Sequence, residues 1–220
     1  MMRSLLIATF VIAAVAAVPA SQPQSAPTPA SLASVWTAEH ISPSVTPLVD
    51  HAEVSRRIRA IAATPGSALR VTKVGASLEG REIHDVAFGS GPTVVFLWSQ
   101  MHGDEGTATS ALFDLYAYID AHRRDPFVAG LLGALTVHTV PMLNPDGAER
   151  WQRRNAQGID VNRDALLLQS PEGRLLKTLR DRWNPAIGMN LHNQNWRTSI
   201  GTPPVGAAIS LLSVAFDKAK

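Results

Sequence analysis

His102 and Glu105 stand three residues apart in the stretch Gln100-Met101-His102-Gly103-Asp104-Glu105, with a glycine between them. One tight turn can aim that imidazole and that carboxylate at a single point, and two such ligands make most of a catalytic zinc site. His192 offers a third donor at the end of a second apolar run, Ile187 to Leu191. Two histidines and a carboxylate, with one position left open for water, form the catalytic arrangement of zinc. A structural zinc would more often be four-coordinate and rich in cysteine, and this chain has no cysteine. Its absence also excludes disulfides and a cysteine nucleophile.

Between these donors runs Arg153-Arg154-Asn155-Ala156-Gln157-Gly158-Ile159-Asp160-Val161-Asn162-Arg163-Asp164. So many polar groups around Ile159 and Val161 exceed what a plain strand needs. Arginine's planar fork suits carboxylates and oxyanions, and an asparagine beside it adds a neutral donor. Asp160 can hold a metal-bound histidine in orientation. Taken alone the stretch reads as a solvated loop with surface charges. The metal pattern around it tips the reading toward a substrate site.

Such side chains need a scaffold that brings distant parts of the chain together. The run Val94 to Trp98 reads as a buried strand that stops just before His102, and Ile187 to Leu191 delivers His192 in the same way. Open α/β sheets bind ligands at the carboxyl ends of their strands. Upstream, Asp50 caps a helix, Glu53 completes a capping box, and Val54, Ile58 and Ile61 share one face before Pro65-Gly66. Val71 to Phe88 reads as two strands around the turn Glu79-Gly80, and Thr93 to Ser99 as another strand. Leu112, Leu115, Tyr116 and Ile119 give a helix to about Arg123, with His122 at its negative end. Leu135 to Met142 is a strand in which His138 is structural. Asn144-Pro145-Asp146-Gly147 is a turn. A helix covers Glu172 to Arg182, and a last amphipathic helix covers Val205 to Phe216. The alternation predicts an α/β fold, a mixed and largely parallel sheet covered by helices on both faces.

At 220 residues and 45% hydrophobic composition, the chain suits one domain. Net charge is +2, and no basic block is long enough to propose nucleic acid as a partner. Arg3, the apolar run Leu5 to Val18 and the small residue Ala20 read as a cleavable signal peptide, residues 1–20. That predicts a secreted or periplasmic protein with no stable membrane insertion after cleavage. Residues 21–48 read as a flexible Pro/Ser/Ala-rich leader, and residues 49–220 as the catalytic domain.

Several stretches in order resemble the M14 family of zinc metallocarboxypeptidases, the relatives of carboxypeptidase A. They are Gly75-Ala76-Ser77-Leu78-Glu79-Gly80-Arg81-Glu82-Ile83, His102-Gly103-Asp104-Glu105, Asn144-Pro145-Asp146-Gly147, Arg153 to Asp164, and Leu191-His192-Asn193. The resemblance implies removal of C-terminal residues from peptides or proteins, with one zinc ion on His102, Glu105 and His192. It implies that Arg153, or Arg154 one register on, stabilises the oxyanion. Asn162 and Arg163 would grip the substrate's terminal carboxylate, Asp160 would orient the first zinc histidine, and Arg81 would line the outer substrate cleft. It also implies a sheet of about eight strands, and a late glutamate base and tyrosine. No glutamate follows Glu172 and no tyrosine follows Tyr118. The expectation is therefore an incomplete domain, short of its C-terminal strands and poorly active alone. Two other readings fit the same donors: a non-catalytic zinc- or carboxylate-binding remnant, and an aspartoacylase-like deacylase of N-acyl amino acids.

Overall fold

A computed structural model of the chain describes residues 27–42, 49–193, 199–200 and 205–206. In chain order the elements are α1 (Pro29–Glu39), α2 (His51–Ala62), β1 (Leu69–Ala76), β2 (Glu82–Gly89), β3 (Thr93–Ser99), α3 (Thr107–Ala121), α4 (Pro126–Ala134), β4 (Leu135–Val140) and the short α5 (Pro145–Glu149). A single 3-10 turn (Val161–Arg163), α6 (Pro171–Trp183), β5 (Ile187–Leu191) and the two-residue strands β6 (Ser199–Ile200) and β7 (Val205–Gly206) follow.

Five strands form the main sheet in the order β1-β2-β4-β3-β5. β1, β2 and β4 pair antiparallel, whereas β3 runs parallel to both β4 and β5. The β3–β5 register ends on Ser99 opposite Leu191. Hence the chain leaves both strands at the same edge of the sheet, three residues before His102 and one before His192. Two apolar runs thereby bring donors ninety residues apart in sequence to one place.

Alternation along the strands sends side chains to two cores. Val86, Phe88 and Val137 pack with Val54 and Ile58 of α2, Leu112, Phe113, Tyr116 and Ile119 of α3, and Val128 of α4. Ile83, Phe96 and Val140 pack on the opposite face with Leu179 of α6 and with Met101, Leu143 and Val161. The mixed sheet with helices on both faces is the expected architecture. His138 is structural, as expected: its Nδ1 lies 2.8 Å from Asp85 Oδ2, and its ring stacks on Trp183 at 3.9 Å.

Several local expectations are corrected. Part of the leader is helical: Thr28 caps α1 by accepting from Ser31 N–H, and Glu39 reaches His122 at 2.6 Å. Asp114 steadies the segment after α1 by accepting from the Ile41 and Ser42 N–H groups. Asp50 does cap α2, but the Glu53 carboxylate binds Arg56 and Arg57 instead of closing a capping box. The turn at Asn144 begins a helix, α5. Val205–Gly206 is a strand, and the rest of the helix expected up to Phe216 lies outside the described residues.

Candidate metal centre

The segment that carries His102 is pinned from within. β3 stops because Gln100 takes a left-handed backbone, φ 48°, which turns the chain away from the sheet. The Gln100 side chain is fully buried; its Nε2 donates to Val49 O and Gly103 O, and its Oε1 accepts from Thr109. Gly103 has no room for a side chain, since a Cβ there would lie 2.0 Å from the Gly147 carbonyl carbon. Asn144 joins the two pieces: Oδ1 accepts Gly147 N–H at 2.9 Å, while Nδ2 donates to Met101 O and Arg153 O. Buried Asp146 accepts from Ser77 Oγ, Glu79 N–H and Arg81 Nη1, tying β1 and β2 to the same corner.

On this base, His102 Nδ1 lies 2.9 Å from Glu105 Oε1, and His192 Nδ1 lies 2.7 Å from Glu105 Oε2. One donor atom from each of the three residues falls within 4.8 Å of the other two. Asn193 completes the turn by donating its N–H to Glu105 Oε2, and its side chain accepts from Thr107 N–H at the start of α3. Behind His102, Asp160 Oδ1 lies 3.2 Å from Nε2. Arg153 Nε donates to Asp160 Oδ2 at 3.0 Å, and its Nη1 donates to His102 Nδ1 at 3.1 Å. Asn162 Nδ2 approaches His192 Nε2 at 3.5 Å. Six of the expected residues thus form one connected group: His102, Glu105, His192, Arg153, Asp160 and Asn162.

Two do not join it. Arg163 is exposed, and its Nη1 donates to Asn162 O. Arg81 is engaged by Asp146 and Glu79. Of the two neighbouring arginines, Arg153 reaches the cluster, whereas Arg154 donates to Gly158 O. Gln100, Asn144, Asp146 and Asn193 were not anticipated as supports of the site. Asn144, Asp146 and Asn193 stand in stretches that carry the family resemblance, and Asn144 has the added signal of a capping side chain directly before a proline.

Charges fit the donor set. Burial pushes the Glu105 carboxyl up, but hydrogen bonds to His102 and His192 outweigh it and hold the pKa at about 2. Burial likewise opposes ionisation of Asp160, and the Arg153 guanidinium overcomes it and lowers the pKa. An ionised Asp160 only accepts, so it favours the His102 tautomer with its proton on Nε2, the form that a metal at Nδ1 would require. In that tautomer the Nδ1 lone pair would face Glu105 Oε1, an arrangement a cation between them would relieve. Two neutral imidazole nitrogens and a carboxylate oxygen are donors suited to zinc, so the residues present fit that ion.

The depressed carboxylates have a consequence for stability. Glu53 and Glu105 fall from the ordinary 4.5 to about 2, and Asp164 is also lowered, its burial offset by hydrogen bonds from Ser170 and Gln169. Groups depressed in the folded state stabilise it above their unfolded pKa, and that contribution is lost as pH falls through the folded one. The urea unfolding midpoint should therefore drop as pH falls from about 4.5 toward about 2, and less steeply in Asp164→Asn. A midpoint flat across that window would contradict the assignment.

A family model described as zinc carboxypeptidase matches residues 54–203, well over half of the chain. Carboxypeptidase Z of Homo sapiens is 30% identical over 149 residues, covering 58% of this chain and 23% of that protein. Among solved structures, a metallo-carboxypeptidase from Burkholderia cenocepacia superposes with a TM-score of 0.58 at 22% identity, covering 64% of this chain and 40% of that one. A metallo-carboxypeptidase from Pseudomonas aeruginosa gives a TM-score of 0.55 at 26% identity, over 64% and 38%. The chain spans about a quarter of that human relative's length and about two fifths of those solved chains. The match in sequence, the shared fold and the order of the motifs lead to one assignment: the chain belongs to the zinc carboxypeptidase family, M14.

Proposed function

We propose that this site is the metal half of a zinc carboxypeptidase centre, acting on the C-termini of peptides or proteins. The observation that carries the reading is the closed set His102–Glu105–His192 with Asp160 and Arg153 behind it. His102, Glu105 and His192 would hold one zinc ion. When bound, zinc supplies Lewis acidity toward a carbonyl oxygen and lowers the pKa of water. The protein's own groups do the rest. Asp160 keeps the proton on His102 Nε2, so Nδ1 stays a donor. Arg153 presents a fixed positive charge beside the donors, where charge develops on a carbonyl oxygen. Asn162 and Arg163 would hold the terminal carboxylate, placing the last peptide bond at the cluster. Arg81, fixed by Asp146 and Glu79, would stand on the outer wall of the cleft.

Hydrolysis also needs an acceptor for the proton of water. Among the described residues, the carboxylates touching the cluster are Glu105 and Asp160, both already engaged by histidine or arginine. That favours slow turnover by this chain alone, and it favours the second reading, a zinc- or carboxylate-binding module. Residues 1–20 as a signal peptide, with secretion or a periplasmic address, belong to the same proposal. No described helix is long and apolar enough to cross a membrane.

The test is zinc stoichiometry on the purified chain, followed by peptide hydrolysis. One zinc per chain with release of the C-terminal residue supports the peptidase. Zinc and peptide binding without turnover makes the module the better account, and preferential cleavage of N-acyl amino acids points to a deacylase. A chain that takes up no zinc overturns the proposal.

A further inference from the structure

We infer that Arg153 competes with the metal for His102, and so sets the metal affinity of the site. The geometry is a closed ring of three residues. Asp160 Oδ1 accepts from His102 Nε2–H, Asp160 Oδ2 accepts from Arg153 Nε–H, and Arg153 Nη1–H donates back to His102 Nδ1. His102 Nδ1 also lies 2.9 Å from Glu105 Oε1. The Nδ1 atom that a zinc ligand must offer is therefore shared between a carboxylate oxygen and the N–H of a cation, and the cation is the neighbour that opposes a metal. The same guanidinium nitrogen lies 3.8 Å from Glu105 Oε1, so it also offsets charge on the carboxylate ligand.

A divalent ion at Nδ1 displaces that N–H and meets a like charge a few ångströms away. The Arg153 side chain is 44% exposed, which leaves Nη1 room to turn outward while Nε keeps Asp160. Arg153 then opposes loading through its charge while helping to orient His102 through Asp160. These two effects have opposite signs. The direct one acts on the lone pair itself, whereas Asp160 retains its own bond to His102 without the arginine. Competition dominates.

The inference rests on the metal site proposed above, and the experiment separates the two. Zinc affinity of the full chain is measured by competition with a chromophoric chelator at fixed pH and ionic strength. Arg153→Gln is expected to bind zinc about tenfold more tightly than the unaltered protein. Arg154→Gln, which removes an equal charge bonded to Gly158 O, is expected to stay within about twofold. An arginine that merely supports Asp160 gives the reverse, since loss of a ligand's orienting partner weakens metal binding about 10–100-fold. Weaker or unchanged binding in Arg153→Gln overturns the inference. Should that variant not fold by circular dichroism, Arg153→Lys takes its place. A single ammonium cannot hold Asp160 and reach Nδ1 together, so about two- to threefold tightening is expected, and unchanged or weaker binding overturns the inference. An unaltered protein that binds no zinc defeats the metal site itself.

Discussion

Gly103→Ala is expected to cost about 3–4 kcal/mol of folding stability and to abolish zinc uptake with it. A Cβ at residue 103 would stand 2.0 Å from the Gly147 carbonyl carbon, 2.2 Å from Ala148 N and 2.5 Å from Gly147 O. All three are backbone atoms, so no side chain can rotate out of the way. α5 cannot retreat cheaply either, because Asn144 and Asp146 hold it through buried hydrogen bonds to Met101 and Ser77 and part-buried ones to Arg153 and Arg81. Whichever backbone moves, His102 leaves its place beside Glu105. Gly80→Ala is the contrasting case. Gly80 has φ +80° but nothing within 4 Å of a Cβ, so the cost is strain alone, about 1–2 kcal/mol. Urea unfolding of the two variants beside the unaltered protein measures the difference. A Gly103→Ala midpoint within about 1 kcal/mol of the parent would mean that α5 is not held against the His102 turn.

How much of this was legible in advance depended on the range of the interaction. β3 was readable to the residue, because a buried parallel strand shows as an unbroken apolar run. His102 and Glu105 were readable because one turn suffices to bring them together, and His192 because a second such run ends beside it. The roles of Gln100 and Asn144 were not. Gln100 acts through a left-handed backbone and a buried amide, neither of which has a local composition signal. Asn144 looked like part of a turn because one of its partners, Met101 O, lies 43 residues away. Glu53 went wrong for the opposite reason: the local pattern was right for a capping box, but Arg56 and Arg57 on the next turn outbid the backbone N–H for its charge. Family resemblance carried Arg153, Asp160 and Asn162 to the cluster. It did not foretell that Arg81 would be held by Asp146.

Glu105→Gln should weaken zinc binding roughly a thousandfold, the largest loss expected from a single isosteric change in the cluster. Glu105 is the residue both histidines face, one through each carboxylate oxygen, and it contributes the only negative charge among the three donors. Glutamine keeps one acceptor of similar shape but removes that charge, and its amide N–H₂ would point at one of the histidines. Asp160→Asn should cost less, about 10–100-fold, because asparagine still accepts from His102 Nε2 and only the orienting charge is lost. Chelator competition on the two variants orders them directly. If Asp160→Asn costs as much as Glu105→Gln, affinity resides in the tautomer and orientation of His102 more than in the carboxylate. A loss under about tenfold in Glu105→Gln removes Glu105 from the metal set, leaving His102 and His192 too few to hold a catalytic ion.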